Sequence, residues 1–334
     1  MPAVSSTAAM SAQRLPEIDF SAYRFGDAAQ RARVAQEIVD ACERYGFFYL
    51  TYHGVPMETV RSGFAAAQAF FAQPVEVRMA CRPGLRNQNR GYQPLRDTQH
   101  VGTQPDVKES FDMGFPLPAD DVDLLAGLPF HAPNTWPEMA GFRGTTENLY
   151  FALLETGREV LRAMAEALGV DRNFFVARCT RPSTNMRMVH YPPQPVDADA
   201  GIGSTAHTDK GLITLLLNDH HGGLHVQSAD ALWIDAPPRE DAMIVNVGQL
   251  MTRWTNGRFR SALHRVINDT GKERFSIPQF HHPDYRTVVD PRDLAPSATP
   301  NFEPVVAGEF VAASFKRERR SWADSPNSEA HMAD

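Results

Sequence analysis

His207 and Asp209 stand one residue apart in the stretch Ser204-Thr-Ala-His-Thr-Asp-Lys-Gly-Leu-Ile-Thr-Leu-Leu-Leu217, and both side chains are strong metal ligands. On a β-strand, residues i and i+2 face the same side, so this imidazole and carboxylate are expected to point together while Thr208 points away. One nitrogen and one oxygen are too few to hold an ion, so a third ligand must arrive from elsewhere in the fold. The best placed is His264, in Asn256-Gly-Arg-Phe-Arg-Ser-Ala-Leu-His-Arg-Val-Ile-Asn-Asp269, where Asn256-Gly257 reads as a turn and Ser261 to Ile267 as a strand. His220, His221, His225, His281 and His282 are further imidazoles. Their default reading is a surface or hydrogen-bonding role, His225 being the one conceivable fourth ligand.

Two histidines and one carboxylate on one face of an octahedral ion leave adjacent positions open, the arrangement associated with non-haem Fe(II) oxygenases. The same ligand types suit zinc, which keeps a hydrolase open as an alternative. Further along, Arg274 and Ser276 again stand at i and i+2, in Gly271-Lys-Glu-Arg-Phe-Ser-Ile-Pro-Gln-Phe280. Asn268-Asp-Thr-Gly-Lys272 reads as a hairpin turn that folds this strand back beside His264. A buried guanidinium needs an anion, and its planar fork matches a carboxylate in two places. The pair therefore looks built to grip the far carboxylate of a short diacid whose other end chelates the metal. The plain alternative is a salt bridge to an internal Asp or Glu.

These residues need a rigid frame. Ala28 to Tyr45 carries Val34, Ile38, Ala41 and Tyr45 on one helical stripe and stops at Gly46. Gly46 to Val55 is aromatic and β-rich enough for a strand, and Val55-Pro-Met-Glu opens a second helix. Residues 81–135 are rich in Pro, Gly and Asp and read as extended loop and short strand, the kind of irregular segment that covers sites. A long helix is expected between Trp136 and Val170. After Pro182, short apolar runs alternate with turn signals, as in an all-β sandwich or barrel. The expected divisions are a loose tail over 1–14, a helical and loop-rich front over 15–135, a packing helix and connection over 136–182, a β core over 183–316 and a polar tail over 317–334.

The 334 residues suffice for a sizeable core. A net charge of -7 with no long Lys/Arg block argues against nucleic acid as a partner, because phosphate neutralisation needs a basic face. Cys42, Cys81 and Cys179 are far apart with no Cys-x-x-Cys pair, which argues against a disulfide framework and fits a reducing cytoplasm. No run suggests a signal peptide or a membrane span.

At these residues the chain resembles the isopenicillin N synthase-like branch of Fe(II)/2-oxoglutarate-dependent dioxygenases. His207-Thr-Asp209, Asn256 to Val266 and Arg274 to Phe280 resemble that family's iron and 2-oxoglutarate signatures. Met186-Arg-Met-Val-His-Tyr-Pro-Pro193 resembles the segment whose tyrosine helps to hold the co-substrate, which implies that Tyr191 donates its hydroxyl to 2-oxoglutarate. In the front half, Arg90-Gly-Tyr-Gln-Pro94 and Asp106-Val-Lys-Glu-Ser-Phe-Asp-Met-Gly114 are similar to N-terminal signatures of the family, and the likeness runs from about Leu15 to about Lys316. Val189 and Gln249 stand where many relatives carry Asn and Asp.

The resemblance implies a mainly β fold with α, a distorted double-stranded β-helix or jelly roll with N-terminal and flanking helices. It implies Fe(II), 2-oxoglutarate and O2 as cofactor and co-substrates, with ascorbate as a reductant. The activity implied is oxidation of a small organic molecule, hydroxylation by default and desaturation or ring formation as variants, coupled to decarboxylation of 2-oxoglutarate to succinate and CO2. Arg90, Tyr92, Phe111 and Phe280 are the expected substrate contacts, and Arg90 in the pocket would favour an amino acid or a carboxylated specialised metabolite. A monomer or weak homo-oligomer is expected. Two other readings stay open, an Fe(II) oxidase that does not use 2-oxoglutarate and a non-catalytic small-molecule sensor on the same scaffold.

Overall fold

The computed structural model of the protein describes residues 9–82, 89–100, 102–194 and 201–323, the last six as backbone only. In chain order the strands are β1 (Glu17–Asp19), β2 (Phe47–Thr51), β3 (Gly91–Gln93), β4 (Glu109–Gly114), β5 (Asn185–Tyr191), β6 (Ser204–His207), β7 (Ile213–Asn218), β8 (Leu224–Gln227), β9 (Trp233–Asp235), β10 (Ala242–Val247), β11 (His264–Val266), β12 (Arg274–His281), β13 (Val288–Val289) and β14 (Val305–Val306). The helices are α1 (Ser21–Phe25), α2 (Ala28–Arg44), α3 (Met57–Phe71), α4 (Val75–Met79), α5 (Val122–Leu125), α6 (Phe142–Ala167), α7 (Gln249–Trp254) and α8 (Ala307–Ala323). Among the described residues an eight-stranded sheet runs in the order β1-β2-β10-β7-β12-β5-β4-β3, and a four-stranded sheet in the order β6-β11-β8-β9. This is the expected jelly roll with flanking helices.

Period-two alternation explains which side chains reach the site. Phe48 and Leu50, Met186 and Met188, and Met243 and Val245 pack in a core shared with α2, α3 and α6. Their neighbours Phe47 and Tyr49, Val189 and Tyr191, and Ile244 point the other way, against Leu224, Val226 and Val266 of the smaller sheet. One face of the large sheet is therefore clad by helices, and the other faces the small sheet and carries the polar residues described below.

Val34, Ile38 and Ala41 of the expected α2 stripe are buried, while Tyr45 is half-buried just past the helix end, and a capping box joins Asp27 and Gln30 at the start of the helix. It stops where Gly46 takes φ +70, against the carbonyl of Arg260, a place that leaves no room for a Cβ. Gly157 on α6 is required by packing instead: a Cβ there would enter the ring of His281 on β12.

Four expectations differ from the structure. α6 begins at Phe142 rather than near Trp136, because Gly141 takes φ 74 and interrupts the helical path. Residues 9–11, expected in a loose tail, pair with β9, the Ser11 amide donating to the Trp233 carbonyl at 2.7 Å. The turn at Asn268–Lys272 does not pair its flanking strands: β11 belongs to the small sheet and β12 to the large one, so the chain crosses the sandwich there. Similarly, β6 ends at His207, and Asp209 lies beyond it, in the crossover to β7. Residues 324–334 of the expected polar tail and 1–8 of the N-terminal one lie outside the described residues.

Candidate metal and co-substrate site

His207 and His264 are register partners on adjacent strands, β6 and β11, which sets their rings side by side with centroids 4.3 Å apart. The Nε2 atoms of both lie 3.8 Å from Oδ1 of Asp209. Three potential ligand atoms thus converge within 4.8 Å of one another, and no other His, Cys, Asp and Glu group among the described residues does so. The i, i+2 argument reached the right pair by an incomplete route, since the carboxylate arrives from a crossover rather than from the strand.

Each ligand is aimed by what its other atoms do. The Nδ1–H of His207 donates to the carbonyl of Thr205 at 2.7 Å, and that of His264 to the carbonyl of Ala262 at 3.2 Å, leaving both Nε2 lone pairs for the centre. Oδ2 of Asp209 accepts from Thr214 Oγ1 at 2.6 Å and from Asn246 Nδ2 at 2.7 Å, leaving Oδ1 as the free oxygen. Burial, helped by the neighbouring His264, pushes His207 down to about 3, so its imidazole is a neutral ligand at ordinary pH. Burial alone would raise the Asp209 carboxyl, but His264, His207, Asn246 and Thr214 outweigh it and hold the group below the usual carboxylate range. Sequence reasoning missed Thr214 and Asn246. Their signal was a polar residue at the small-sheet parity of an otherwise apolar strand, Asn246 alone on β10 and Thr214 with Asn218 on β7.

Arg274 and Tyr191 are register partners on β12 and β5, and the guanidinium lies over the tyrosine ring at 4.8 Å. Nε of Arg274 donates to the carbonyl of Gly222 at 2.9 Å and Nη2 to Asn218 Oδ1 at 2.7 Å, while buried Nη1 has no partner among the described residues. The salt-bridge alternative finds no internal carboxylate on this guanidinium among the described residues. Tyr191 in turn lies against Gly203, just before the strand of His207; Tyr191, Arg274 and Ser276 are not among the residues that line the cavity beside His207 and Asp209. Ser276, buried on the same face of β12 as Arg274, pairs in register with Val189.

A cavity of about 140 Å³ opens beside His207 and Asp209. Phe280 and Tyr92 line it. The Tyr92 hydroxyl, however, is occupied by Glu109, which leaves only its ring edge for a ligand. Arg90 and Phe111 do not line it. Phe111 has the parity of the helix-facing core and packs against Phe70 and Phe142, with ring centroids 4.9 and 5.3 Å away. Arg90 is buried and donates to the carbonyl of Phe130 at 2.9 Å. Asp112, beside Phe111, accepts from Arg187 Nε at 2.8 Å and from Asn185 Nδ2 at 3.1 Å, which anchors two residues that line the cavity. His282, pushed down to about 4 by burial, joins the lining as a neutral imidazole.

His225 lies on β8, where Arg265 Nε donates to its Nδ1 at 3.4 Å, and it is not part of the ligand cluster. Val189 packs between the sheets. Gln249 supports the ligand loop through its amide and backbone: its Nε2 donates to Thr208 Oγ1 at 2.5 Å and its backbone N–H to the Asp209 carbonyl at 2.8 Å.

The donor set fits Fe(II), with two imidazole nitrogens, one carboxylate oxygen and open positions, and Arg274 Nη1, unpartnered among the described residues, fits a carboxylate. Residues 15–139 match the model of the non-haem dioxygenase N-terminal region named for morphine synthesis, and residues 182–283 match that of the 2OG-Fe(II) oxygenase superfamily. The chain is 38% identical to the 2-oxoglutarate-Fe(II) type oxidoreductase hxnY of Emericella nidulans over 312 residues, which covers 90% of this chain and 89% of that one. It is 39% identical to the 2-oxoglutarate-dependent dioxygenase citB of Monascus ruber, covering 81% of this chain and 86% of that one. Among solved structures, Neurospora crassa T7H in complex with alpha-KG matches with a TM-score of 0.82 at 27% identity, covering 92% of this chain and 98% of that one. With the ligand geometry, these similarities identify the chain as a member of the 2OG-Fe(II) oxygenase superfamily, an Fe(II)- and 2-oxoglutarate-dependent dioxygenase that acts on a small molecule.

Proposed function

We propose that His207, Asp209 and His264 hold the iron, that Arg274 with Ser276 and Tyr191 holds the far carboxylate of 2-oxoglutarate, and that the substrate is a small planar acid read by Arg187. Bound Fe(II) and 2-oxoglutarate supply the oxidising chemistry: one oxygen atom of O2 ends in succinate, released with CO2, and the other enters a substrate C–H bond in the default hydroxylation. The residues supply aim. The carbonyls of Thr205 and Ala262 hold the two imidazoles, and Thr214 and Asn246 keep Oδ2 of Asp209 occupied, so that the three ligand atoms face one point. Asn218 and Gly222 fix two edges of the Arg274 fork and leave Nη1 for an anion.

The observation that carries the substrate class is Arg187. Its Nε is fixed by Asp112, its guanidinium lies 6.0 Å from the ring centre of Phe280, and its side chain lines the cavity. Lys108, Lys210 and Arg82 also line this cavity, Lys108 beside Asp106 and Arg82 beside Asp97. Phe280 offers a flat face to a ring, and His282 a neutral donor or acceptor. Thymine and 5-formyluracil in complexes of Neurospora crassa T7H are planar carbonyl compounds, which supports a planar substrate here. The order of the motifs supports the isopenicillin N synthase-like branch. Three buried, unpaired cysteines support a reducing compartment such as the cytoplasm, and no helix among the described residues is long and apolar enough to cross a membrane.

Incubating the anaerobically prepared protein with Fe(II), O2 and labelled 2-oxoglutarate against matched acids and neutral amides tests the reading. Succinate formation is expected to be stimulated by aromatic or heteroaromatic acids, with Arg187→Ala raising their KM about 10- to 100-fold, the worth of a charged hydrogen-bonded pair. Equal stimulation by the neutral amides, or an unchanged KM in Arg187→Ala, would reject the acid. Substrate oxidation without succinate would favour the oxidase that does not use 2-oxoglutarate.

A further inference from the structure

We propose that Asp106 is a positioning residue for His207, acting through the backbone of Thr205. The inference rests on reading His207 as a metal ligand and adds to it a buried carboxylate from a different part of the chain. Asp106 belongs to the segment between β3 and β4 and is 1% exposed. Its Oδ1 accepts from the Thr205 backbone N–H at 2.8 Å and from Thr205 Oγ1 at 2.7 Å. The carbonyl of that same Thr205 accepts the Nδ1–H of His207 at 2.7 Å. Carboxylate, threonine and imidazole thus form one chain of hydrogen bonds that ends on the ligand nitrogen's ring.

The neighbours of Asp106 grip the same strand. Val107 N–H donates to the Ile202 carbonyl at 2.9 Å, and Lys108 Nζ donates to Ser204 Oγ at 2.8 Å while lying 2.9 Å from Asp106 Oδ2. Three consecutive residues therefore clamp residues 202–205. Glu109, the next residue, faces the opposite way and bonds His190 Nδ1 at 2.7 Å on β5. The Asp106-Val-Lys-Glu109 run thus spends one carboxylate on the strand of His207 and the other on the large sheet. From the same segment, His100 stacks on the His207 ring with centroids 5.8 Å apart.

A ligating imidazole is oriented by the acceptor of its other N–H, and that acceptor is only as fixed as the peptide carrying it. Both acceptors, Thr205 for His207 and Ala262 for His264, lie two residues before their ligand. Thr205 sits on β6, whose pairing with β11 shifts register between His264 and Val266. Asp106 replaces the regularity that this ladder lacks. Without it, the Thr205 N–H and hydroxyl lose their acceptor and the peptide can rotate.

The test uses full-length, metal-free protein titrated with Co(II), followed by calorimetry and by the visible ligand-field absorption. Asp106→Ala is expected to weaken Co(II) binding about 10- to 100-fold and to alter the absorption bands, as losses of outer-shell partners do. Asp106→Asn, which keeps an Oδ1 acceptor for Thr205, should recover most of the affinity. Wild-type affinity and bands in Asp106→Ala, with only a lower Tm, would overturn the proposal. If Asp106→Ala does not fold, Thr205→Val and Lys108→Met carry the test: weaker Co(II) binding in either supports it, and unchanged binding in both overturns it. His264→Ala serves as control, since wild-type binding there would reject the triad itself rather than the role of Asp106.

Discussion

Asn218 Oδ1 on β7 receives Nη2 of Arg274 on β12 at 2.7 Å, and the same guanidinium keeps Nη1 buried without a partner among the described residues. The asparagine turns a flexible cation into a fixed one with a single edge to offer. Arg274→Lys would keep the charge and lose the fork. The KM for 2-oxoglutarate should rise about 10- to 100-fold in this variant, the worth of one or two charged hydrogen bonds. Asn218→Ala should shift KM in the same direction by less, and steady-state succinate formation reads both.

Oδ2 of Asp209 is held by Thr214 and Asn246, both of them buried. Asn246→Ala or Thr214→Val frees one side of the carboxylate, and each is expected to lower iron affinity about tenfold, the lower end for outer-shell partners. Chelator competition measures this directly. An unchanged affinity in both variants would mean that Asp209 is aimed by the backbone alone.

The cluster of His207, Asp209 and His264 was legible because rare side chains recur at spacings that only make sense together, and the same reasoning singled out Arg274 and Ser276. Asn218, Asn246 and Thr214 were not, since each is a single common polar residue whose meaning depends on which side of a strand it takes. Phe111 illustrates the cost of missing parity: in Glu109-Ser-Phe-Asp-Met-Gly114 the aromatic residue drew the eye, while Asp112, of the opposite parity, holds Arg187. The β11–β12 connection misled for another reason. Its turn residues favour a hairpin locally, and only the competition between two sheets sends the strands apart.

His281 is buried, and burial, with His282 and Arg158 nearby, lowers it from 6.5 to about 3. Its Nε2 has no partner among the described residues. Between those two values the unfolded chain binds a proton that the folded one refuses, so acid favours unfolding in that window. His53, lowered to about 4 chiefly by burial, acts in the same sense. Urea unfolding of metal-free protein should therefore show stability falling as pH drops below 6.5, by up to about 1.4 kcal/mol per pH unit for each such group. His281→Gln should flatten the slope.

Gly157 lies within α6, where Ala would ordinarily add up to about 1 kcal/mol by helix propensity. Here the added methyl would enter the His281 ring. Overpacking of this kind costs about 1–3 kcal/mol and should win, so Gly157→Ala is expected to lower the urea midpoint. A raised midpoint would show that His281 can move aside.

The central claim is that three side chains, one of them beyond the end of its strand, bind one metal ion while Arg274 binds the co-substrate. A crystal structure with Mn(II) and 2-oxoglutarate tests it most directly. The account predicts metal bonds to Nε2 of His207, Nε2 of His264 and Oδ1 of Asp209, with the far carboxylate of 2-oxoglutarate on Nη1 of Arg274. A metal ligated by His225 or His282, or a 2-oxoglutarate carboxylate bound away from Arg274, would contradict it.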